Sequence, residues 1–288
     1  MPELPEVEVV KKSLNKSIYH LTLKNIEIRN KFLRFKINTK LMKKMVGSKV
    51  ISINRRSKYI IIKFDNNYTI LIHLGMTGKF IIFDSKNIKR NSSFYHKLAD
   101  HKLKHDHLIF KFNKKIKLVY NDIRKFGFLK VEKTKKLNLN SHLKKLGPEP
   151  LSKSFSFHYF KKKIIQRKLS IKDLLMDQKF VAGLGNIYVN EAIFQSKINP
   201  IMQVRNLNDK KISSLIRNIK KILNKAIKEG GSSIKDFNNI EGKEGNFQQF
   251  FNVYGRNGMH CTRAKCRGIV NKIKISNRST FFCSICQK

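Results

Sequence analysis

The chain has 288 residues, of which 62 are Lys or Arg and only 19 are Asp or Glu, so its formal net charge at neutral pH is +43. Hydrophobic residues make up 41% of the sequence, which suffices for two domain cores and excludes a disordered basic tail. No apolar run approaches the ~20 residues of a membrane-spanning helix, and the N-terminus lacks the basic-then-apolar order of a signal peptide. We therefore expect a soluble cytoplasmic protein without membrane contact.

The excess of positive charge indicates a polyanionic partner. Nucleic acid is the first candidate, because a surface this basic repels itself unless phosphates neutralise it. Codon bias is the alternative, since an AT-rich coding sequence raises the content of Lys, Asn and Ile without any function. Such a bias does not explain why Asp and Glu are scarce, and the composition therefore favours nucleic-acid binding.

The first predicted element is a helix that begins at about Pro5, within the opening sequence PELPEVE. Proline suits a first helical turn, and Glu3 and Glu6 suit the positive end of the helix dipole. A chemical interpretation is also open. Removal of Met1 would leave Pro2 with a secondary α-amine, and α-amino groups titrate near ~8, which leaves a nucleophilic fraction at neutral pH. Local physics alone favours a simple helix start over a reactive amine beside two acids.

Short β-rich runs follow between residues 50 and 131: YIIIKF, TILIHL, KFIIF, HLIFKF, KLVY and FGFLKV. Their spacing predicts an antiparallel sandwich or barrel. The segment LGPEPLS then breaks the pattern with two prolines and a glycine, and it is the expected linker. We predict four segments: a β domain at 1–133, a linker at 134–151, a helical domain at 152–250 and a zinc finger at 251–288.

Beyond the linker the apolar period becomes helical. Apolar residues recur every three or four positions from Ile212 to Ile227, lysines occupy the other face, and Gly230 provides a stop. This apolar face is expected to pack in a core. The polar segment at 232–250 is predicted to be a loop whose order depends on a ligand.

All four cysteines fall in the last 28 residues, with the spacing C-x4-C-x16-C-x2-C: Cys261, Cys266, Cys283 and Cys286. Two close thiolate pairs joined by a connector of hairpin length can surround one zinc ion, and four sulfur ligands leave no open position for water. We therefore predict one structural zinc ion per chain, with inert thiols or two disulfides as alternatives. Arg278, near the tip of the connector, is either a phosphate ligand or an ordinary surface residue.

Several motifs occur along the chain: PELPEVE, RRSKYIII, HLGMTG, KHDH, DIRKFG, LGPEPL, MDQKFVAGLGNIYVNE and the cysteine pattern ending in CQK. Over essentially the whole chain they resemble the bacterial formamidopyrimidine-DNA glycosylase family. The resemblance implies an α+β fold with an N-terminal antiparallel β-sandwich and a C-terminal helix-two-turn-helix domain that carries a zinc-finger β-hairpin. It also implies a monomeric, nucleoid-associated repair enzyme. Its partner would be double-stranded DNA that contains oxidised purines, such as 8-oxoguanine and formamidopyrimidines, or abasic sites, and it would cleave the strand by β,δ-elimination.

The resemblance implies five catalytic positions. Pro2 resembles the Schiff-base nucleophile, Glu3 the proton donor for base loss and ring opening, and Glu6 an acidic residue lining the same site. Lys58 resembles the proton donor of β-elimination and Arg278 that of δ-elimination. Because a guanidinium gives up its proton poorly at neutral pH, Arg278 suits phosphate binding better.

Three further positions, Met76, Arg124 and Phe126, match the family's inserted triad. A thioether and an aromatic ring can wedge between bases after a nucleotide is flipped, while a guanidinium bonds the orphaned cytosine. Without the resemblance, Met76 and Phe126 would be interpreted as core residues at strand ends.

Phosphate contacts are implied for His105, Arg167, Lys172 and Asn186. Asn186 follows glycines and precedes an apparent helix, so we expect its side chain to cap that helix.

Two features depart from the family pattern. The first cysteine pair is C-x4-C where C-x2-C is commoner, and Ile123 and Lys125 stand where the family often has proline and arginine. A lesion-recognition loop is implied at about 232–245.

Two alternatives remain open. The endonuclease VIII branch of the same superfamily prefers oxidised pyrimidines, but it typically begins PEGPE and lacks the HLGM wedge, so Leu4, Met76 and Phe126 argue against it. A noncatalytic zinc-finger DNA-binding protein would share the charge and the cysteines. The presence of Pro2, Glu3 and Lys58 favours the enzyme.

Overall fold

A computed structural model describes residues 2–84, 89–91 (backbone only), 103–232 and 247–288. These residues belong to two compact units: unit 1 is Met1–Lys144 with Ile227–Asn246, and unit 2 is Lys145–Ala226 with Phe247–Lys288. The four-segment division inferred from the sequence stays a prediction. Within the described ranges, no helix is both long and apolar enough to cross a membrane.

Unit 1 begins with helix α1 (Leu4–Ile18), one residue ahead of the predicted start. Its inward residues repeat every three or four positions and are buried: Val7, Val10, Leu14 and Ile18. This face packs against strands β2 (Val50–Arg56) and β3 (Tyr59–Phe64). The N-terminus is thereby anchored on a sheet.

The described strands of unit 1 form two antiparallel sheets, as the predicted α+β sandwich requires. One contains β2 and β3 followed by β4 (Tyr68–His73) and β9 (Phe128–Lys133). The strand order of the other is β1 (Leu23–Ile28), β7 (Asp106–Phe112), β8 (Lys117–Asp122), β5 (Gly78–Phe83) and β6 (Lys89–Asn91). A short helix α2 (Thr39–Lys43) precedes β2. The six predicted runs correspond to β3, β4, β5, β7, β8 and β9.

Both sheets contribute alternate residues to one hydrophobic core. From β3 these are Ile60, Ile62 and Phe64, which join Phe80 of β5 and Phe110 of β7. The intervening residues are buried as well, because Ile61, Leu71 and Phe128 form a second apolar cluster with Leu137. Burial on both faces explains why YIIIKF and TILIHL are continuous apolar runs rather than alternating ones.

Unit 2 is helical and ends in a hairpin. Its helices are α3 (Phe157–Ile164), α4 (Ile171–Met176), α5 (Asn186–Gln195) and α6 (Asp209–Lys228), and its strands are β10 (Val270–Ile275) and β11 (Arg278–Cys283). Helix α6 and the hairpin confirm the predictions for these segments. The apolar face of α6 is buried in the core of unit 2, as predicted.

Buried polar side chains of α5 fix the C-terminal segment to this helix. Asn190 accepts the backbone N–H of Phe281 in β11 through its Oδ1, at 3.0 Å. The buried carboxylate of Glu191 accepts the backbone N–H groups of Val253 at 3.0 Å and Tyr254 at 2.9 Å. The hairpin and the chain before it are therefore oriented by a helix rather than by their own small core.

Candidate functional site

Three candidate segments leave the four-stranded sheet of unit 1 at the same end. Tyr59, the first residue of β3, pairs with His73, the last residue of β4, and His73 also pairs with Phe128, the first residue of β9. Lys58 directly precedes Tyr59, and the sequence HLGMTG continues beyond His73. The ladder therefore places the turn of Lys58 and the loops that carry the triad at one end of this sheet.

At the start of α1, the carboxylate of Glu6 is fully buried, with 0% exposure. Its Oε2 accepts the backbone N–H of Glu3 at 2.9 Å, and its Oε1 accepts the N–H and the hydroxyl of Ser232 at 2.8 and 3.0 Å. Gly231 has φ +91°, and a Cβ there would lie 3.2 Å from the Glu6 side chain. Pro2 and Glu3 are buried beside this junction. Glu6 thus joins the residue after Pro2 to the chain beyond α6.

Arg55 ties the turn of Lys58 to α1. Its Nε donates to Glu8 Oε2 at 2.8 Å, and its Nη1 donates to the carbonyl of Ser57 at 2.9 Å. Burial raises the pKa of the Glu8 carboxyl, but hydrogen bonds from Lys11 and Arg55 outweigh it, so that pKa lies below its ordinary value. Lys58 itself is buried. The Arg55–Glu8 pair escapes sequence reasoning because the partners are 47 residues apart.

The side chains of the predicted triad lie together. Arg124 Nη1 is 3.1 Å from the sulfur of Met76, and the Arg124 guanidinium carbon lies 4.4 Å from the ring centroid of Phe126. Met76 is 39% exposed and Phe126 is 45% exposed, which rules out the interpretation that they are core residues. The arginine is thus stacked on a ring and lies next to a thioether, and we call these three residues the wedge, after the role that the resemblance implies.

Asp122, the last residue of β8, holds the two loops of this wedge together. It accepts the backbone N–H of Gly127 at 2.8 Å and the hydroxyl of Thr77, and that hydroxyl in turn accepts the N–H of Arg124 at 2.9 Å. Gly75 has φ +64°, and a Cβ there would lie 2.4 Å from the backbone carbon of Phe126. Only glycine permits this approach.

A cavity of about 600 Å³ opens beside the wedge, lined by Arg34, His73, Gly75, Met76, Arg124, Lys125 and Phe126. His73 accepts the N–H of Gly75 through its Nδ1 at 3.0 Å. Burial lowers the pKa of His73 to about 4, and the positive charges of Lys58 and Arg34 act in the same direction. His73 is therefore a neutral hydrogen-bond acceptor at physiological pH.

In unit 2 the predicted phosphate ligands Lys172 and Asn186 are bonded to each other. The buried Lys172 donates from its Nζ to Asn186 Oδ1 at 2.6 Å, and Asn186 Nδ2 donates to the carbonyl of Ser279 at 2.9 Å. The prediction that Asn186 caps α5 is wrong. Gly185 is the N-cap residue and Asn186 is the first helical residue, so its side chain reaches to β11 instead.

The remaining candidates lie in separate places within their units. In unit 1, the partly exposed His105 ends a short helical turn that leads into β7. In unit 2, the partly exposed Arg167 follows α3, and the exposed Arg278 begins β11. The hairpin turn before Arg278 has positive φ at Ser276 and Asn277, 44° and 63°, as two-residue hairpin turns require. The implied lesion-recognition loop follows Ser232, and the part of it beyond Ser232 lies outside the described residues.

The four cysteine sulfurs form one cluster in which all lie within 4.8 Å of one another. The Cys261–Cys286 and Cys266–Cys283 sulfur pairs are each 3.7 Å apart, too far for disulfides. A tetrahedral ion with metal–sulfur bonds of ~2.3 Å requires sulfurs ~3.8 Å apart, so the cluster fits such an ion. Burial and neighbouring thiols raise the pKa of Cys286 to about 12, a cost that a bound cation would offset.

Comparison with known proteins agrees with this architecture. The family model described as the formamidopyrimidine-DNA glycosylase N-terminal domain matches residues 1–129, and that described as the H2TH domain of the same enzyme matches 146–238. The formamidopyrimidine-DNA glycosylases of Rickettsia felis and Rickettsia bellii are each 40% identical, over 100% of this chain and 98% or 100% of theirs. The chain therefore belongs to the formamidopyrimidine-DNA glycosylase (Fpg) family of DNA repair enzymes.

Solved structures of a relative match the whole chain. Lactococcus lactis Fpg in complex with DNA containing an abasic site has a TM-score of 0.85 at 34% identity. The same protein in complex with DNA containing N7-benzyl-Fapy-dG has a TM-score of 0.85 at 35% identity. Both alignments cover 100% of this chain and 100% of the relative.

Sequence reasoning missed four residues that position the site, and all four lie inside motifs of the family. His73 and Asp122 lie inside the motifs HLGMTG and DIRKFG, and Asn190 and Glu191 lie inside GLGNIYVNE. Motif membership was thus a signal for all four residues, although it did not reveal their contacts.

We predict that His73 makes stability depend on pH. Its pKa falls from 6.5 to about 4 on folding, so its contribution is complete above pH 6.5 and is lost as the pH drops towards 4. The full loss is about 3 kcal/mol, of which about 2 kcal/mol falls between pH 7.5 and 5.0. Urea unfolding at pH 7.5 and 5.0 measures it, with His73→Asn as a non-titrating control that keeps an acceptor. An equal wild-type-to-variant difference at both pH values would contradict this assignment.

Proposed function

We propose that this protein is a bifunctional DNA glycosylase and abasic-site lyase. Its substrates are oxidised purines such as 8-oxoguanine and formamidopyrimidines in double-stranded DNA, and abasic sites. The observation that carries this proposal is the N-terminus, where the Glu6 carboxylate accepts the backbone N–H of Glu3, the residue after Pro2, at the start of helix α1. The abasic-site and Fapy-dG duplexes bound by the Lactococcus relative support this substrate class.

The proposed nucleophile is the secondary amine of Pro2, which becomes a free amine once Met1 is removed. Its nitrogen attacks the sugar C1′ while the bond from C1′ to the base breaks, and the base departs with the electron pair and a proton. The amine proton then passes to the Glu3 carboxylate, which is thereby reprotonated for the next step. Opening of the sugar ring, with a proton delivered to O4′, leaves an iminium ion. We assign both proton deliveries to the carboxylic acid of Glu3.

The iminium ion accepts electrons, which makes the adjacent C2′ proton acidic. Its loss expels the 3′ phosphate in β-elimination, and a second elimination expels the 5′ phosphate. Lys58 is the proposed proton donor for the first elimination. Arg278 is proposed to hold a phosphate during the second, because its guanidinium suits a phosphate oxygen pair and it is exposed at the hairpin tip.

We assign Glu6 to positioning rather than to proton transfer. Each of its oxygens accepts a backbone N–H, from Glu3 and from Ser232, and the side chain has no exposure to solvent. Hydrogen bonds to a carboxylate are strong and directional. Glu6 therefore fixes the backbone next to Pro2.

The exposed triad is the proposed wedge. Met76 and Phe126 would enter the base stack, and Arg124 would leave its contacts with them to bond the cytosine opposite the flipped nucleotide. The phosphate contacts would come from His105, Arg167, Lys172 and Asn186. The Lys172–Asn186 bond at 2.6 Å supports a shared site for these two.

The cysteine cluster is proposed to hold one structural zinc ion per chain. Zinc would neutralise the four thiolates and fold the small hairpin unit. Residues around it are already fixed, since Gln287 accepts the N–H of Cys283 at 2.8 Å and donates to the carbonyl of Ile198 at 2.8 Å.

We further propose that the enzyme acts as a monomer on the nucleoid, in the cytoplasm.

Borohydride trapping tests the nucleophile. Incubation of Met1-processed, zinc-loaded protein with a duplex containing 8-oxoguanine opposite cytosine should give a covalent adduct on reduction, because borohydride converts the iminium to a stable amine. Peptide mapping should locate the adduct at Pro2. The side-chain amine of Lys58 is the alternative nucleophile, and Lys58→Gln removes it. This variant should still form an adduct with DNA that already contains an abasic site. Absence of an adduct, or an adduct at Lys58, would refute the catalytic proposal and favour a noncatalytic DNA-binding protein.

Arg124→Ala tests the opposing-base contact. We expect the preference for cytosine over adenine opposite the lesion to fall by an amount equivalent to ~1 to 3 kcal/mol, since a bidentate base contact is lost. Excision rates on the two duplexes measure it. Lys125→Ala removes a neighbouring exposed charge and should leave the preference unchanged. An undiminished preference in Arg124→Ala would rule out this role.

Metal content tests the zinc proposal. Protein purified from zinc-containing medium should carry one zinc ion per chain by native mass spectrometry. Cys283→Ser should lose the ion and bind lesion DNA more weakly, whereas the exposed neighbour variant Ser284→Ala should keep both. Full zinc content in Cys283→Ser would overturn the ligand assignment.

A further inference from the structure

A groove on unit 2 lies outside the proposed active site. One face of α6, the C-terminal half of α5 and the chain from Phe247 to Thr262 enclose a cavity of about 430 Å³. Asn218, Lys221, Ile222 and Lys225 face it from successive turns of α6. The volume lies within the range of ~300 to 1,000 Å³ that small-ligand sites occupy. We call this cavity the α6 groove.

The α6 groove carries uncompensated positive charge. Lys221, Lys225 and Arg256 line it, and none of the three forms an ion pair with any acid in the described parts of the chain. Glu191 is the acidic residue among the described lining residues. Its carboxylate accepts the N–H groups of Asn252 and the two residues that follow, and it offsets only one of the three positive charges, which leaves an excess of two in the groove.

Arg256 presents an unused donor. Its Nε is buried and has no hydrogen-bond acceptor among the described residues. Buried donors without acceptors are rare in folded proteins because desolvation is not repaid. A guanidinium in a cavity with two lysines is suited to a phosphate group, whose oxygens accept several charge-assisted hydrogen bonds.

An exposed aromatic ring completes the groove. Phe250 is 38% exposed, and the Nζ of Lys225 lies 3.4 Å from its ring centroid. Aromatic faces next to cations are the feature by which proteins bind single nucleotide units without sequence preference, since every base has a face that can stack. A base on Phe250 would place its phosphate among the cations that line the same cavity.

We infer that the α6 groove binds one nucleotide unit, with the base stacked on Phe250 and the phosphate bonded to Arg256, Lys221 and Lys225. The unit is either a free nucleoside 5′-monophosphate or one residue of single-stranded DNA, which share this chemistry. The site is separate from the proposed lesion chemistry, because none of its residues belongs to the catalytic set, the wedge or the proposed phosphate contacts.

Binding of deoxyadenosine 5′-monophosphate and of the tetranucleotide dA4 to the full-length, zinc-loaded protein tests the inference by titration calorimetry. Phe250→Leu keeps the charge and should weaken binding at least about fivefold, the loss of one stacked base. Arg256→Gln should weaken it about tenfold through the lost phosphate contact. Lys225→Ala, at an exposed position, gives a second test of the phosphate contact if Arg256→Gln does not fold.

Lys210→Ala is the matched control, because it removes an equal charge at an exposed position on the same helix outside the groove. It should leave binding within about twofold of wild type, as expected for a distant surface charge. Lesion excision should be unchanged in Phe250→Leu.

Binding of the mononucleotide identifies a free nucleotide as a sufficient ligand, and binding of dA4 alone identifies a strand. Binding of neither probe, or equal losses in Lys210→Ala and Phe250→Leu, would overturn the inference.

Discussion

Backbone hydrogen bonds to buried carboxylates are the interaction on which the candidate functional segments depend. Glu6 receives the N–H groups of Glu3 and Ser232, Asp122 receives that of Gly127, and Glu191 receives those of three consecutive residues beginning at Asn252. A buried carboxylate is tolerable only when hydrogen bonds replace its hydration. In a chain with 19 acidic residues, these few acids therefore determine where the N-terminus, the wedge loops and the approach to the hairpin lie.

The elements that the sequence predicts are those with strong local patterns. Helix α6 shows an apolar stripe, β3 and β4 are continuous apolar runs, and the four cysteines are close in sequence. Strand β1, with the sequence LKNIEI, is half polar, and β6 has three residues, so neither has a pattern that separates it from a loop. The prediction that Asn186 caps α5 was wrong for a local reason, because Gly185 occupies the N-cap position.

Sequence motifs nominate the residues of the candidate site but do not predict their contacts. Motifs identified Pro2, Lys58 and the wedge side chains, because each motif is contiguous. The pairs that orient them are long-range: 47 residues separate Glu8 from Arg55, and 226 separate Glu6 from Ser232. Contacts of this kind follow from the paths of the strands and helices in space, and no local period records them. The α6 groove escapes sequence reading for the same reason, since its cations come from two distant segments.

The contact between Gly75 and Phe126 limits which substitutions the two loops tolerate. A Cβ at Gly75 would lie 2.4 Å from the backbone of the other loop, so neither loop can change its path unless the other moves with it. A change in the path of one loop therefore requires a matching change in the other, although 51 positions separate Gly75 from Phe126. Ile123 and Lys125, which depart from the family pattern, are exposed and outside this contact. Substitutions at these two exposed positions leave the contact intact, whereas any single substitution at Gly75 would place a Cβ against the backbone of the other loop.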